Sequence, residues 1–406
     1  MKSKNILFLT TNNLTTNPRL LKEVKVAVEA GYLPTVVLFD FDNWTNNIEH
    51  SLRESLEGVK FITIPATRKN LLSWLFSSGV QYGCRKVYKF LKFSRRVNAF
   101  ASDKRSYLLN RSLESLPSSY DFIISHNLGS LYPAYNFAEK YTIPFAFDIE
   151  DYHPGEMVSR DAGNEKERRE FILKKLLPTA AYVSYASPLI GEATFSFIHD
   201  VSEQKRFLLN NAFSLLEFQQ PKSLSNSRTK LVWFSQNIAA GRGLELVIPV
   251  LYSFRDRVKL TLIGNLIPEF YEAFLKQYDD VIEYREPLPQ SELHLQLANY
   301  DIGLAIEISR SDINKDIALS NKLIAYAQAG LFVLATDTRG QALFIDEHPQ
   351  IGSVFQQSTE GFETAFRQVL AKLQPIREAK QTRFAAAREL AWEKEAEKLT
   401  EIWQTF

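Results

Sequence analysis

From one end to the other, the chain alternates short apolar runs with segments of helical period, and this alternation limits its possible folds more than any other feature. The first series of runs covers residues 5–10, 34–39, 59–64, 121–125, 144–149, 181–186 and 206–209. The second covers 230–234, 259–263, 281–284, 301–306, 331–336 and 352–355. Runs of this length divided by helices predict parallel sheets covered on both faces. Between the two series, residues 217–228 are polar, with Pro221 and the serines Ser223, Ser225 and Ser227, as in a linker. The expectation is an α/β chain of two doubly wound halves: a first domain over 1–215, a second over 222–375, and terminal helices over 376–406 that pack back on the first. Ligands of such folds bind at the carboxyl ends of strands, which predicts a site in a cleft between the halves.

Length agrees with this division, because 406 residues exceed one typical core. With 45% hydrophobic and 23% charged residues, the chain has the composition of a soluble globular protein. The formal net charge of +1 gives no global sign of a nucleic-acid partner. Cys84 is the single cysteine and forms no internal disulfide; with no secretory signal and no apolar stretch of ~18 residues, a cytoplasmic location is expected. Neither G-x-G-x-x-G nor G-x-x-x-x-G-K follows a strand, which disfavours dinucleotide dehydrogenases and P-loop NTPases.

The candidate chemistry lies at the ends of these runs. Ser320-Asn321-Lys322 opens a helix that Gly330 closes, just before the run at 331–336. A helix N-terminus offers outward N–H groups to an anion, although an ordinary capped α/β unit has the same layout. Arg242 stands between Gly241 and Gly243 after the run at 230–234, where its guanidinium can fork onto phosphate or simply be solvated in a turn. Lys322 adds a second cation or is a surface lysine. His126 ends one run, and Asp148, Glu150 and Asp151 end the next. They orient a substrate and move protons, or they serve as caps and solvated charges. Asp40-Phe41-Asp42 has the form of a metal-chelating D-x-D, but it closes an early strand and is discounted. Cysteine and histidine are too sparse for a zinc site.

Residues 68–105 carry Arg68, Lys69, Arg85, Lys86, Lys89, Lys92, Arg95, Arg96, Lys104 and Arg105 against Asp103 alone, so ten cations less one anion gives +9. Val87, Phe90, Leu91, Ser94, Val97 and Ala101 follow helical spacing, and Trp74, Leu75 and Phe76 lie just before. This pattern predicts a basic amphipathic helix, either on an anionic membrane or packed on the core with a basic outer face.

Together these residues resemble the two-domain GT-B glycosyltransferases, most closely the retaining family 4. The resemblance spans nearly the whole chain and is carried by Asn17-Pro18-Arg19-Leu20-Leu21-Lys22-Glu23, Ser125-His126-Asn127, residues 235–245 and Ser320-Asn321-Lys322 through Gly330. It implies two Rossmann-like domains facing a cleft and metal-independent transfer, with retention, from a nucleotide sugar to a glycan or lipid-linked acceptor. Cell-envelope glycan assembly, at the inner face of the membrane, is the expected setting. Implied catalytic residues are His126, near the transferred sugar, with Glu150 and Asp151. Gln236, Arg242, Gly243, Glu307, Ser320, Asn321 and Lys322 would bind the donor, and Asn12 and Arg19 would lie on the acceptor side. Three departures stand out. Gln236 replaces an expected arginine. Asn12, Asn13 and Thr15 stand where the first loop usually has paired glycines. Two glutamates expected eight apart fall on Ile317 and Ala325. The alternative is a catalytically degenerate relative that supports another transferase; a sugar-nucleotide epimerase of the same fold is the third reading.

Overall fold

The structure, a computed structural model, describes residues 3–43, 45–67, 70–158, 161–221, 228–309 and 312–406. Arg68 and Lys69 of the basic segment, and 222–227 of the expected linker, lie outside the described residues. Two compact units are formed: Met1–Leu209 with Ala396–Phe406, and Asn210–Glu395.

The first unit holds strands β1 (Asn5–Thr10), β2 (Leu33–Asp40), β3 (Lys60–Pro65), β4 (Phe122–His126), β5 (Phe145–Ile149), β6 (Tyr182–Tyr185) and β7 (Arg206–Leu208). They form one parallel sheet in the order β3-β2-β1-β4-β5-β6-β7. The second holds β8 (Thr229–Ile238), β9 (Val258–Leu266), β10 (Ile282–Arg285), β11 (Ile302–Ala305), β12 (Phe332–Thr336) and β13 (Gly352–Phe355). These are again all parallel, in the order β10-β9-β8-β11-β12-β13. Each apolar run of the sequence therefore becomes a strand. The central strands are buried on both faces, as the unbroken apolar character of β1, β4 and β11 requires.

Two stretches group differently from the sequence expectation. Residues 210–215 belong to the second unit, where the backbone N–H and C=O of Phe213 pair with the Gln328 side chain at 3.0 and 2.8 Å. Residues 376–395 also belong there: the Lys380 ammonium is buried and donates to the carbonyls of Ala298 (2.7 Å) and Tyr300 (2.6 Å). Within the first unit, the buried Trp403 donates to the Tyr182 hydroxyl at 2.9 Å, and Phe406 stacks on Phe122 with ring centres 4.7 Å apart.

The basic segment does not form one amphipathic helix. Helix Leu71–Val87 ends in a turn, and Ser94 caps a new helix, Arg95–Ser102, by accepting from the Val97 N–H. Val87, Phe90 and Leu91, expected on one stripe that meets either a membrane or the core, are exposed.

Candidate active site

At the carboxyl edge of the first sheet, charge is buried and internally matched. His126 ends β4 and is 0% exposed. Its Nδ1 lies 3.1 Å from Glu150 Oε1 and 3.6 Å from Asp148 Oδ2, and its Nε2 lies 3.4 Å from Glu23 Oε2. Arg19, buried on helix Pro18–Glu29, clamps both oxygens of Asp148 (Nε–Oδ2 2.5 Å, Nη2–Oδ1 2.8 Å) and donates to the Leu209 carbonyl at 2.6 Å. Ser184 on β6 also donates to Asp148. Burial alone would lower the His126 pKa, but Glu23, Glu150 and Asp148 outweigh it and push the value up to about 10. For Asp148, burial would raise the pKa, yet Arg19 and His126 hold it below the usual carboxylate range. Burial wins at Glu23, whose pKa rises despite His126 and Arg19.

This geometry corrects two expectations. His126 does not open onto a ligand surface, since both ring nitrogens face carboxylates. Arg19 does not line an acceptor surface, since its guanidinium is spent on Asp148 and Leu209. Glu23, His126 and Asp148 bring ligand-type atoms within 4.8 Å of one another. They do not fit a resident metal ion, because Arg19 and the charged imidazole already stand in the cation positions around Asp148. The cluster ties the helix after β1 to β4, β5, β6 and the residue after β7.

Beside it lies a polar cavity of about 420 Å³, bordered by Asn12, Asp103, Arg105, Asn127, Gly129 and Asp151, with His153, Glu156 and Arg169 also on its wall. Asn127 precedes helix Leu128–Tyr141 with φ +70°, a strained value for a residue with a side chain, and makes no capping bond. Its Oδ1 instead accepts from Thr10 Oγ1 at 2.6 Å, and Leu128 and Gly129 of the first helical turn line the cavity with it. Arg105 donates to the Thr11 carbonyl (2.7 Å) and to Asn12 Oδ1 (3.2 Å). The structure thus brings Asn12 and Asp151 to one cavity, whereas Glu150, at 21% side-chain exposure, pairs with His126 of the buried cluster and is not on the cavity wall. The sequence analysis gave Arg105 only as a cation of the basic segment and Asn127 only as part of a motif, and it did not single out His153; the strand-end position of Asn127, directly after His126, was the signal for its place here.

In the second unit a cavity of about 370 Å³ is bordered by Phe213, Phe234, Gln236, Leu288, Asn321 and Lys322, among others. Ser235 and Gln236 reach it because β8 has a register shift between Phe234 and Asn237. The shift requires Gly264, at φ +152°, since a Cβ there would lie 2.2 Å from the Ser235 carbonyl oxygen. Ser320 caps helix Asn321–Gln328, with the Leu323 N–H at 3.5 Å from its Oγ. The Lys322 ammonium pairs with Glu307 Oε1 at 2.6 Å, and Thr336 holds the Glu307 backbone through both its N–H (2.9 Å) and its carbonyl (2.8 Å).

Gln236, Asn321 and Lys322 therefore meet at one cavity, whereas Ser320, Glu307, Arg242 and Gly243 are not on its wall. Arg242 is exposed and has no ion-pair partner among the described residues. Gly243, at φ +80°, sits so close to β11's continuation that a Cβ would lie 2.4 Å from Ile306 Cγ2. Ile317 and Ala325, where the resemblance expects glutamates, are both buried, so no carboxylate is offered there.

No protein-family model matches the sequence, and no curated protein matches it. Solved structures do match along the whole chain. HepE of Anabaena, in complex with UDP and glucose, has a TM-score of 0.65 at 12% identity, covering 99% of this chain and 100% of that one. Sucrose-phosphate synthase of Thermosynechococcus elongatus has a TM-score of 0.67 at 13% identity, with 99% and 98% covered. A UDP-N-acetylglucosamine 2-epimerase has a TM-score of 0.60 at 11% identity, with 99% and 95% covered. With two all-parallel sheets of seven and six strands and these structural neighbours, the chain has the GT-B fold.

Proposed function

We propose that this chain is a glycosyltransferase that moves a sugar from a nucleotide-sugar donor to a glycan or lipid-linked acceptor. The observation that carries the reading is the second-unit cavity. It joins apolar walls, suited to a base, with a lysine and a helix N-terminus, suited to a diphosphate. Lys322 then stabilises the leaving diphosphate, the main electrostatic demand of the reaction. Asn321 and Gln236 orient the donor. Asp151, Asn12 and the uncapped turn at 127–129 bind sugar hydroxyls in the first-unit cavity. His126 acts through Glu150, as a positioning group. Retention, independence of metal, and a place in cell-envelope glycan assembly belong to this proposal.

The reading includes a peripheral place on the inner face of the membrane. Residues 70–105 hold Arg85, Lys86, Lys89, Lys92, Arg95, Arg96, Lys104 and Arg105 against Asp103, so eight less one gives +7. On the same segment Leu72 (83%), Phe90 (87%) and Phe93 (78%) are exposed. Among the described residues no helix is long and apolar enough to cross a membrane, so contact would be with the surface.

The test is a melting-temperature screen with UDP, GDP, ADP and their sugar conjugates. A ligand at a hundred times its Kd adds about 2.7 kcal/mol to the native state, a shift that is easily read. One nucleotide should stand out, and slow hydrolysis of its sugar conjugate should follow. The buried Ile317 and Ala325 favour the second reading, a degenerate partner of another transferase; no shift with any nucleotide at millimolar levels would establish that reading instead. Conversion of the sugar without any acceptor would mark an epimerase.

A further inference from the structure

We propose that the base of the nucleotide donor is guanine, and that His294 and Gln290, on the wall of the second-unit cavity, read its edge. The proposal rests on the transferase reading above, and it deepens that reading by naming the base.

Gln290 and His294 stand four positions apart on helix Gln290–Leu297, and hence on one face of it. Both border the cavity on whose wall Asn321 and Lys322 stand. A single carboxylate oxygen orients the two side chains. Glu217 Oε2 lies 2.7 Å from His294 Nδ1 and accepts from Gln290 Nε2 at 2.9 Å. A carboxylate only accepts, so the neutral imidazole carries its proton on Nδ1 and presents a lone pair at Nε2. By the same logic the Gln290 amide spends its N–H on Glu217 and presents its Oε1. Among the described residues neither His294 Nε2 nor Gln290 Oε1 has a hydrogen-bond partner.

The imidazole is fixed in place. Phe218 stacks on one face, with ring centres 4.8 Å apart and planes 11° from parallel, and Phe213 meets it edge to face at 4.4 Å. His294 is 2% exposed, so an unmatched ring nitrogen there is costly until a ligand supplies a donor. With a face already covered, a base meets this ring through a hydrogen bond at its edge. Two acceptors on one wall select a base edge with two donors. Guanine has N1–H and the 2-amino group side by side. Uracil has one N3–H between two carbonyls, so a second acceptor would face an oxygen lone pair. Adenine has one amino group beside the bare N1. Phe213, Leu288 and Leu293 give the ring plane apolar walls, and Lys322 is left for the diphosphate.

The test is calorimetric titration of the full chain with GDP, IDP, UDP and ADP at pH 8, above the usual imidazole range. IDP is GDP without the 2-amino group, so it isolates one of the two donors. GDP should bind about tenfold or more tightly than each of the other three, because a site built for a hydrogen bond rejects the analogue that lacks it. Gln290→Leu and His294→Phe should each weaken GDP about tenfold. His294→Phe keeps a ring between Phe213 and Phe218; should it fail to fold, Gln290→Leu decides alone, since Gln290 is exposed. Equal binding of GDP and IDP, tighter binding of UDP or ADP, or unchanged GDP binding by Gln290→Leu would each overturn the proposal. A preference for UDP or ADP would leave the transferase reading standing, whereas no binding of any of the four would sink both.

Discussion

The two sheets present charge at their carboxyl edges in opposite ways. In the first unit Arg19, His126 and Asp148 are buried and paired with one another, and Asp151, Asn12 and Arg105 line the cavity beside them. In the second unit Lys322 stands on the cavity wall itself, matched by only one carboxylate, and Arg242 is left in solvent. The difference teaches that a charged residue on which several elements converge is held as scaffold, whereas one at a helix start with a single charged partner stands on a cavity wall.

Removing a member of the first cluster should have the largest effect. Arg19→Ala leaves Asp148 buried without its guanidinium, and loss of one partner of such a pair costs about 3–5 kcal/mol. Urea unfolding checks this; a loss below ~1 kcal/mol would break the contrast between the two edges. Lys322→Ala comes next. It should weaken nucleotide binding by about 1.5–3 kcal/mol, as for hydrogen bonds to charged groups, with little change in unfolding. Titration calorimetry with the preferred nucleotide measures it, and an unaltered Kd would remove Lys322 from the site.

The same contrast can be read from pH. His126 has a folded pKa of about 10 against an ordinary 6.5, so its stabilisation is complete below 6.5 and is lost as pH rises through 10. Lys380 has the opposite sign. Burial, against the pull of Asp301, lowers its pKa from 10.5 to about 8, so its charged form is a cost below pH 8 that disappears toward 10.5. Raising the pH from 7 to 10 should therefore loosen the first unit and firm the second, by at most ~1.4 kcal/mol per pH unit for each group. Hydrogen exchange of β4–β5 and β11–β12 peptides, corrected for intrinsic rates, reads this; equal change in both units would erase the distinction. The smallest effect is expected from Arg242→Ala. An exposed arginine off the cavity wall should cost below ~1 kcal/mol in nucleotide affinity and nothing in stability. A loss as large as that of Lys322→Ala would show that Arg242 swings onto the donor.

Much of the fold was legible because apolar runs bounded by turns report strands directly, and β1 and β12 are clear cases. The second-unit site was partly legible, since Asn321 and Lys322 lie on one helix end and Gln236 on one strand end, which are local features. The fate of His126 was not legible. Its burial depends on Glu23 and Arg19, which stand more than a hundred positions earlier and reach it only through the β1–β4 pairing. Residues 86–101 misled for a similar reason. Their period suits a single helix, but Ser94 forms a better cap for a second one, and the apolar side chains before it find no core.

Residues 396–406 belong to the first unit, through Trp403 and Phe406, although the 186 residues of 210–395 separate them from the rest of it. During synthesis the earlier sheet must therefore wait, with the Tyr182 and Phe122 surfaces uncovered, until the later one has been translated in full. Such an order of assembly makes the nascent amino-terminal half a natural client for chaperones. It also makes the turn that carries Trp403 and Phe406 a closing latch, and replacing both rings by alanine should release the first sheet and not the second.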